Sequence, residues 1–401
     1  MVSVRIPDVT DRGVQALGWA AAAGWAAVFP LAGAGPNQSL WGALAAPSYA
    51  LAALLRAALP RRPAGPAAAV AGLLGAVLAP LVLLSVHERR QSEVMVVERS
   101  ADLLVHTGLP YLTAPVLPSD YNPYLPLMTL FGLPRAWLGN VGPARLLAGD
   151  ARIWFALVFL LGLLACGRLL GRRRTGLPLA ALTASPLIAL PLAVGGVDLP
   201  LIGLCCLALA LAGRSRPVAA GLVLGLACGL KWTAWPALPV LALLLHHRRG
   251  PTAAGRFALA ALLTTAAAVL PLALGRPDVL RDQVLRFPLG LGSVPTPAGS
   301  PLPGKLLAGL GPAGHALSLT LLALAALGLA RYALAHPPAT ATAAADLLAA
   351  GFTLAVLLAP AARFGYLALP AVLLLWPRLT AGQPGPPPIR ADRLERHKVR
   401  A

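Results

Sequence analysis

The sequence predicts an all-α protein, a polytopic bundle of transmembrane helices. Its mean hydropathy is +0.74 and only 12% of its residues are charged, against about 25% in an ordinary soluble domain. Residues 13–55 contain no charged side chain, which is enough chain for two helices at roughly 20 residues per crossing. The basic residues gather in short links between apolar runs, as in cytoplasmic loops. The net charge of +19 therefore indicates membrane topology, and no nucleic-acid partner is expected.

Charge-free runs separated by basic links predict about twelve crossings, with both termini in the cytoplasm. The predicted crossings are residues 14–34, 39–58, 66–87, 152–171, 176–195, 199–213, 217–230, 233–247, 255–275, 312–330, 341–361 and 363–377. The seventh and eighth are shorter than a bilayer needs. These two can form a broken or re-entrant pair with Lys231 near the bend.

The chain is expected to form one transmembrane domain, residues 1–377, with two long outer loops at 88–151 and 276–311. The second loop begins with RPDVLRDQVLRF, a charged helical pattern that suits the membrane interface, and continues as a loop rich in proline and glycine. The remaining residues, 378–401, are basic and rich in proline. They are predicted to form a disordered cytoplasmic tail.

The first outer loop carries six of the fourteen acidic residues in the chain, a concentration that marks a place for chemistry. The six are Glu88, Glu93, Glu98, Asp102, Asp120 and Asp150. Within the loop, SEVMVVERSADLLVHTG predicts one amphipathic helix, because apolar residues recur at three-and-four spacing from Val94 to Leu104. Gly108 and Pro110 supply the stop.

Glu93 is the best-placed candidate for a general base. It follows the third crossing and stands at the start of the predicted helix, where a carboxylate can face a pocket at the membrane interface. The alternative is a solvated acid that the helix dipole favours. Tyr121 and Tyr124 belong to a proline-rich turn at the membrane surface, and an aromatic belt would explain both without any substrate.

Lys231 also needs an explanation, because a lysine within a crossing costs about 3 kcal/mol on insertion scales. It should therefore face protein, water or an anionic group. The alternative is a lysine that extends to the outer interface beside Trp232 and Trp235.

Three runs of the sequence resemble a known family. They are ERSADLLVHTGLPYL, YNPYLPLMTLFGLP and GLACGLKWTAWPALPVLALLL. They are similar to the polyprenyl-phosphate-dependent membrane glycosyltransferases of the GT-C fold, and most similar to the α-mannosyltransferases of phosphatidylinositol mannoside and lipoglycan assembly. The resemblance covers roughly residues 88–245, and the family's motif elements fall on Glu93, Gly108, Pro110, Tyr111, Tyr124, Pro126, Gly225, Lys231 and Pro236.

The resemblance implies transfer of a hexose, mannose in that subset, from a polyprenyl-phosphate donor to a lipid or glycan acceptor, with inversion at the sugar carbon. The base would be Glu93, with Glu88 as the alternative register. The substrate-binding candidates are Asp102, Tyr111, Tyr121, Tyr124, Lys231, Arg276, Arg281, Arg286 and Lys305. No cofactor and no metal are implied, and the site would face the extracytoplasmic side of the plasma membrane.

Two features depart from the family pattern, in which the acid is usually aspartate and the acidic loop follows the first crossing. Here the acid is Glu93 and the loop follows the third crossing. Two rival interpretations stay open, a lipid transporter or flippase and a non-catalytic protein that keeps the fold. A transporter would need several polar residues near the midplane of the membrane, and Lys231 is the single candidate in the sequence.

Overall fold

The chain is all-helical in a computed structural model that describes residues 12–139, 141–171 and 175–380. Those residues form no strand, and one isolated parallel bridge pairs Gly299 with Ala362. Seven of the described helices are long and apolar enough to cross a membrane, or eight if a bent pair counts as one crossing. The predicted class is confirmed, whereas the number of about twelve crossings and their orientation stay predictions. Residues 381–401 of the predicted tail lie outside the described part.

The first four helices form an N-terminal layer. They are α1 (Arg12–Leu31), α2 (Pro36–Ala58), α3 (Arg61–Gly72) and α4 (Ala79–Val86), and a π-helical turn, Leu73–Leu78, joins the last two into one crossing. Trp41 donates from Nε1 to the carbonyl oxygen of Ala76 at 2.8 Å. Tyr49 donates from its hydroxyl to the carbonyl oxygen of Ala184 at 2.6 Å. These two buried hydrogen bonds join α2 to the rest of the bundle.

The predicted amphipathic helix of the first outer loop is α5 (Ser92–Thr107). It ends at Gly108, whose φ of 75° is the left-handed conformation that glycine adopts easily. A 3₁₀ turn, Pro126–Gly132, and two short helices, α6 (Leu133–Leu138) and α7 (Pro143–Gly149), complete the loop.

The central helices are α8 (Ala151–Leu169), α9 (Gly176–Ala184), α10 (Pro186–Val194), α11 (Leu199–Gly213), α12 (Pro217–Leu230) and α13 (Ala237–Arg249). Helices α8 and α11 approach closely, since a Cβ added at Gly162 would lie 2.7 Å from the backbone of Gly203. Small residues allow such contacts between helices in a membrane. The four cysteines, Cys166, Cys205, Cys206 and Cys228, are free and buried.

The predicted crossing at 176–195 is not continuous, because α9 and α10 meet at an angle of 69°. Ser185 lies between them with an extended backbone, ψ 146°. Pro186 follows, and a residue before proline is driven out of the helical region. The bend brings the end of α10 against the first outer loop, where the Gln91 N–H donates to the carbonyl oxygen of Val194 at 3.2 Å.

The C-terminal part comprises α14 (Pro251–Gly275), α15 (Pro277–Val279), a π-helical segment (Leu280–Arg286), α16 (Pro303–Ala308), α17 (Pro312–Ala335), α18 (Ala341–Leu358), a 3₁₀ turn (Phe364–Leu367) and α19 (Ala368–Thr380). Buried Trp376 donates from Nε1 to the carbonyl oxygen of Leu163 at 3.0 Å, which attaches α19 to α8. At one end of the bundle α4, α12 and α18 finish and α8, α11 and α19 begin. We call it the loop end, because both long loops lie there.

Candidate active site

Glu93 lies in the first turn of α5 at the loop end. Its Oε2 accepts a hydrogen bond from Nη1 of Arg363 at 2.7 Å, although the two residues are 270 positions apart in sequence. Both side chains are mostly buried, with exposed fractions of 16% for Glu93 and 28% for Arg363. The Glu93 carboxylate, despite the opposing effect of burial, raises the pKa of Arg363 above its ordinary value.

A second ion pair joins Lys231 to Asp198. Lys231 follows the last residue of α12 in an extended conformation, and Asp198 precedes α11. Nζ of Lys231 donates to Oδ1 of Asp198 at 2.7 Å. Burial acts to lower the pKa of Lys231, but Asp198, with smaller contributions that include Glu93, leaves that pKa above its ordinary value.

Two tyrosine rings connect the ion pairs. Nζ of Lys231 lies 4.8 Å from the ring centroid of Tyr366 and 5.8 Å from that of Tyr124, within the range of a cation–π interaction. Burial raises the pKa of Tyr124, and Glu93 and Asp198 both add to that rise. The two carboxylates therefore act on one group. We call the set the paired-charge site: Glu93, Tyr124, Asp198, Lys231, Arg363 and Tyr366.

Tyr124 is held by backbone contacts on both sides. Tyr111, which is buried, donates from its hydroxyl to the Tyr124 carbonyl oxygen at 2.7 Å. The next residue, Leu125, donates from its N–H to the carbonyl oxygen of Leu230 at 2.9 Å. This bond satisfies a carbonyl at the end of α12. It also fixes the tyrosine beside Lys231.

Arg363 is positioned by the second outer loop. The Ser300 N–H donates to the Ala362 carbonyl oxygen at 3.0 Å. The Ser300 Oγ accepts from the N–H of Phe364 at 3.1 Å. Nearby, a Cβ added at Gly304 would lie 2.2 Å from the Leu358 carbonyl oxygen, so α16 packs directly on the end of α18.

Glycine also lets the turn between α10 and α11 approach Glu93. A Cβ added at Gly195 would lie 2.7 Å from Oε1 of Gln91 and 3.3 Å from Oε1 of Glu93. Gly196 has a φ of 84°, which residues with a side chain rarely adopt. Asp198 comes two residues later, so this turn places it near Glu93.

The two outer loops contact each other at the loop end. The Asn122 N–H donates to Oε1 of Gln283 at 3.0 Å, and Gln283 donates from Nε2 to the Leu112 carbonyl oxygen at 2.6 Å. The rings of Tyr121 and Phe287 stack with centroids 4.4 Å apart. Tyr121 thus contributes to loop packing.

The arginines of the second loop each pair with a nearby aspartate. Arg276 contacts Asp278 at 2.9 Å, and Asp282 contacts Arg281 at 3.2 Å and Arg286 at 3.4 Å. All three arginine side chains are at least 38% exposed. Lys305, on α16, is half-buried and forms no ion pair with any residue that the structure describes.

Glu88 belongs to a different set of contacts. It has a left-handed backbone, φ 53°. Its Oε1 accepts from Arg135 and, at 3.3 Å, from Arg90. The same two arginines contact buried Glu98 at 3.3 and 3.4 Å. Asp102 lies further along α5, is exposed, and pairs with His106 at 3.4 Å.

Beneath this set lies a fully buried ion pair of Arg152 and Asp150, with Nη2 and Oδ2 2.6 Å apart and no side-chain exposure. Arg152 also donates to the Ala193 carbonyl oxygen at 2.6 Å and to the Ser85 hydroxyl at 3.2 Å. Asp150 caps α8 by accepting from the N–H of Arg152. We call this set the buried network: Ser85, Glu88, Arg90, Glu98, Arg135, Asp150 and Arg152.

An apolar cavity of about 500 Å³ lies between α12, α14 and the 3₁₀ turn of the first loop. It is lined by Leu127, Leu226, Leu263, Thr264, Ala267 and Ala268. Leu226 and Leu263 are 43% and 61% exposed, so the cavity opens on the outer surface of the bundle. One of its lining residues, Leu127, packs on Gly229, two residues before Lys231.

Sequence reasoning identified Glu93, Tyr124 and Lys231 and missed three members of the paired-charge site. Asp198 and Arg363 are single charges next to apolar runs, and Tyr366 follows closely. The sequence holds a signal for Asp198. Lys231 needs an anionic partner, and Asp198 stands at the matching end of a neighbouring predicted crossing.

The fold and the site define a helical membrane protein with paired charges at one end of its helices. The family model described as "Glycosyltransferase family 87" matches residues 122–360, more than half of the chain. The chain therefore belongs to glycosyltransferase family 87 and is a membrane glycosyltransferase of the GT-C type. No curated protein and no solved structure matches it. The matched residues include Asp198 and Lys231, whereas Glu93 precedes them and Arg363 follows them.

Proposed function

We propose that the protein transfers a hexose, mannose by resemblance, from a polyprenyl-phosphate donor to a hydroxyl of a lipid or glycan acceptor on the outer face of the plasma membrane. The observation that carries the proposal is the paired-charge site, in which one carboxylate, Glu93, lies among two cations and two aromatic rings. A base, a phosphate site and a surface for sugar stacking are the groups that this reaction needs.

Glu93 is the proposed base. It removes the proton from the acceptor hydroxyl while the oxygen attacks the anomeric carbon of the sugar. The bond from that carbon to the phosphate oxygen breaks on the opposite face, and polyprenyl phosphate leaves with the electron pair. The proton then passes from Glu93 to water. The phosphate needs no proton in order to leave, so one carboxylate is sufficient.

Lys231 and Arg363 are the proposed phosphate ligands. The arginine can offer two parallel N–H donors to a phosphate, and the lysine adds a point charge. Arg276, Arg281 and Arg286 remain candidates for contacts to lipid headgroups or to an acceptor. These three side chains are at least 38% exposed, whereas Lys231 and Arg363 are 11% and 28% exposed and lie with Glu93 in one site, which favours them for the donor.

The cavity beside Leu127 supports a lipid-linked donor. It is apolar and opens on the outer surface of the bundle, and its lining residue Leu127 packs on Gly229, two residues before Lys231. A polyprenyl chain in this groove would place its phosphate beside the lysine without leaving the bilayer.

The test is Glu93→Gln, assayed for sugar transfer from a short-chain polyprenyl-phosphate mannose in membranes that contain the full chain. We expect transfer to fall at least about 100-fold, the lower range for a lost general base, while the amount of folded protein stays the same. Glu93→Asp is the matched control, because it keeps the acid and should retain part of the activity. Full transfer by Glu93→Gln would remove Glu93 as the base and leave Glu88 or Asp102 as candidates.

A further inference from the structure

The paired-charge site contains a second carboxylate that the proposed reaction does not use. Asp198 forms an ion pair with Lys231, in which Oδ1 and Nζ lie 2.7 Å apart. Its side chain is 24% exposed and that of Lys231 is 11% exposed. A carboxylate in contact with a proposed phosphate ligand is unexpected, because it competes with the phosphate for the same ammonium group. Its effect must therefore be to limit the negative charge that the site accepts.

The formal charges of the site make that limit explicit. The two carboxylates, Glu93 and Asp198, balance the two cations, Lys231 and Arg363, so the formal charge of these four side chains is zero. A lipid-linked sugar with one phosphodiester carries about one negative charge, and one with a diphosphate linkage carries about two. Donor and site together then have one excess negative charge in the first case and two in the second.

Without Asp198 the formal charge of the site would be one unit more positive. A diphosphate donor would then leave one excess negative charge, as a monophosphate donor does in the native site. The site is partly buried and lined by tyrosine rings. An unbalanced charge there is less well screened than it would be in water.

We propose that Asp198 is a specificity-determining residue, which restricts the phosphate site of Lys231 and Arg363 to lipid donors with one phosphate group and disfavours those with two. The inference rests on the proposed function, because it takes these two cations as the phosphate ligands. Glu93 does not serve this purpose, since it must be free to accept the acceptor's proton. Asp198 stays with Lys231 throughout and reduces the positive charge available to the donor.

The turn that carries Asp198 suits this role. Gly195 and Gly196 bring the backbone against Gln91 and Glu93, and the end of α10 is tied to the Gln91 N–H. The turn before Asp198 is thus held by backbone contacts, and the carboxylate itself pairs with the lysine at 2.7 Å. A fixed counter-ion selects by charge, whereas a mobile one would move aside for any anion.

The experiment measures equilibrium binding of farnesyl phosphate and farnesyl diphosphate to the purified full chain in lipid nanodiscs. At pH 7 these esters carry about two and about three negative charges, so they differ by one charge, as the two classes of donor do. We expect the native protein to bind the monophosphate more tightly. In Asp198→Asn, the diphosphate should bind about tenfold more tightly than to the native protein, the size of one charge-assisted contact. Monophosphate binding should tighten by a smaller factor, because the monophosphate carries less negative charge.

Two controls accompany Asp198→Asn. Asp198→Glu keeps the charge and should keep the native preference. Asp278→Asn removes a carboxylate from an exposed arginine pair and should change neither affinity. An effect of Asp278→Asn equal to that of Asp198→Asn would reduce the observation to a change in net charge and overturn the proposal.

Two further results would overturn it. The first is tighter binding of farnesyl diphosphate than of farnesyl phosphate by the native protein. This measurement needs no variant, so it is decisive even if Asp198→Asn does not fold. The other is a folded Asp198→Asn protein with an unchanged preference while sugar transfer from the monophosphate donor persists. That outcome leaves the proposed function intact. Binding of neither lipid by the native protein would instead contradict the proposed function, and the inference with it.

Discussion

The paired-charge site and the buried network lie at the same end of the bundle and are built differently. In the site, Glu93 and its arginine are 270 residues apart, and Asp198 and Lys231 are 33 apart. In the network, Asp150 and Arg152 are two residues apart and completely buried. The site joins distant segments through side chains that water can still reach, whereas the Asp150–Arg152 pair at the centre of the network joins helices through side chains that water cannot reach.

The difference distinguishes charges with a structural role from those of the proposed active site. Arg152 uses all three of its nitrogens on Asp150, Ala193 and Ser85, and its side chain has no exposed surface that a ligand could reach. Arg363 uses Nη1 for Glu93 and stays 28% exposed. Breaking a fully buried pair leaves an unpaired charge inside the fold, whereas a partly exposed pair can exchange its partner for a substrate. Three predictions follow from this distinction.

The largest expected effect is on stability, from the network. Arg152→Leu should lower the free energy of unfolding by about 3–5 kcal/mol, because Asp150 is then a buried charge without a partner. Thermal unfolding in detergent would measure this as a large fall in the midpoint. The double variant with Asp150→Asn should recover part of the loss, since no charge is left unpaired. A midpoint within a few degrees of the native value for Arg152→Leu would show that the network is not structural.

Arg363→Met should have the opposite profile. We expect sugar transfer to fall about 100- to 1000-fold, as on loss of one group that stabilises developing charge, with little change in the unfolding midpoint. Arg378→Met is the matched control, because Arg378 also pairs with an aspartate, Asp346, at 2.7 Å but lies at the other end of the helices. Equal transfer by native protein and Arg363→Met would remove Arg363 from the phosphate site.

The sequence predicts the helices of this protein better than it predicts the contacts between distant side chains. The helices were predicted close to their observed bounds, because long apolar runs leave the chain few alternatives in a membrane. The break at Ser185 was missed, although the proline that follows gives its physical reason. Crossing count and side of the membrane are still predictions.

The site was harder to predict, for a reason visible in Arg363. Its partner Glu93 is far away in sequence, and a single arginine between two apolar runs looks like any residue at a loop. The family resemblance implied Arg276, Arg281 and Arg286 of the second outer loop as binding candidates. Each of these arginines pairs with an aspartate no more than four residues away in the sequence. A short stretch of sequence therefore shows both partners, whereas it cannot show the pair of Arg363 and Glu93.

The smallest expected effect tests which carboxylate of the first loop is the base. Glu88→Gln should change transfer by less than about threefold and stability by about 1 kcal/mol or less, since its side chain is 48% exposed and exposed ion pairs contribute little. Glu88 shares Arg90 and Arg135 with Glu98, so these arginines keep a partner in the variant. The measurement is transfer from the same donor in parallel with Glu93→Gln. If Glu88→Gln lost sugar transfer and Glu93→Gln kept it, Glu88 would be the base. The active site would then lie at the exposed edge of the buried network, and the paired-charge site would be structural.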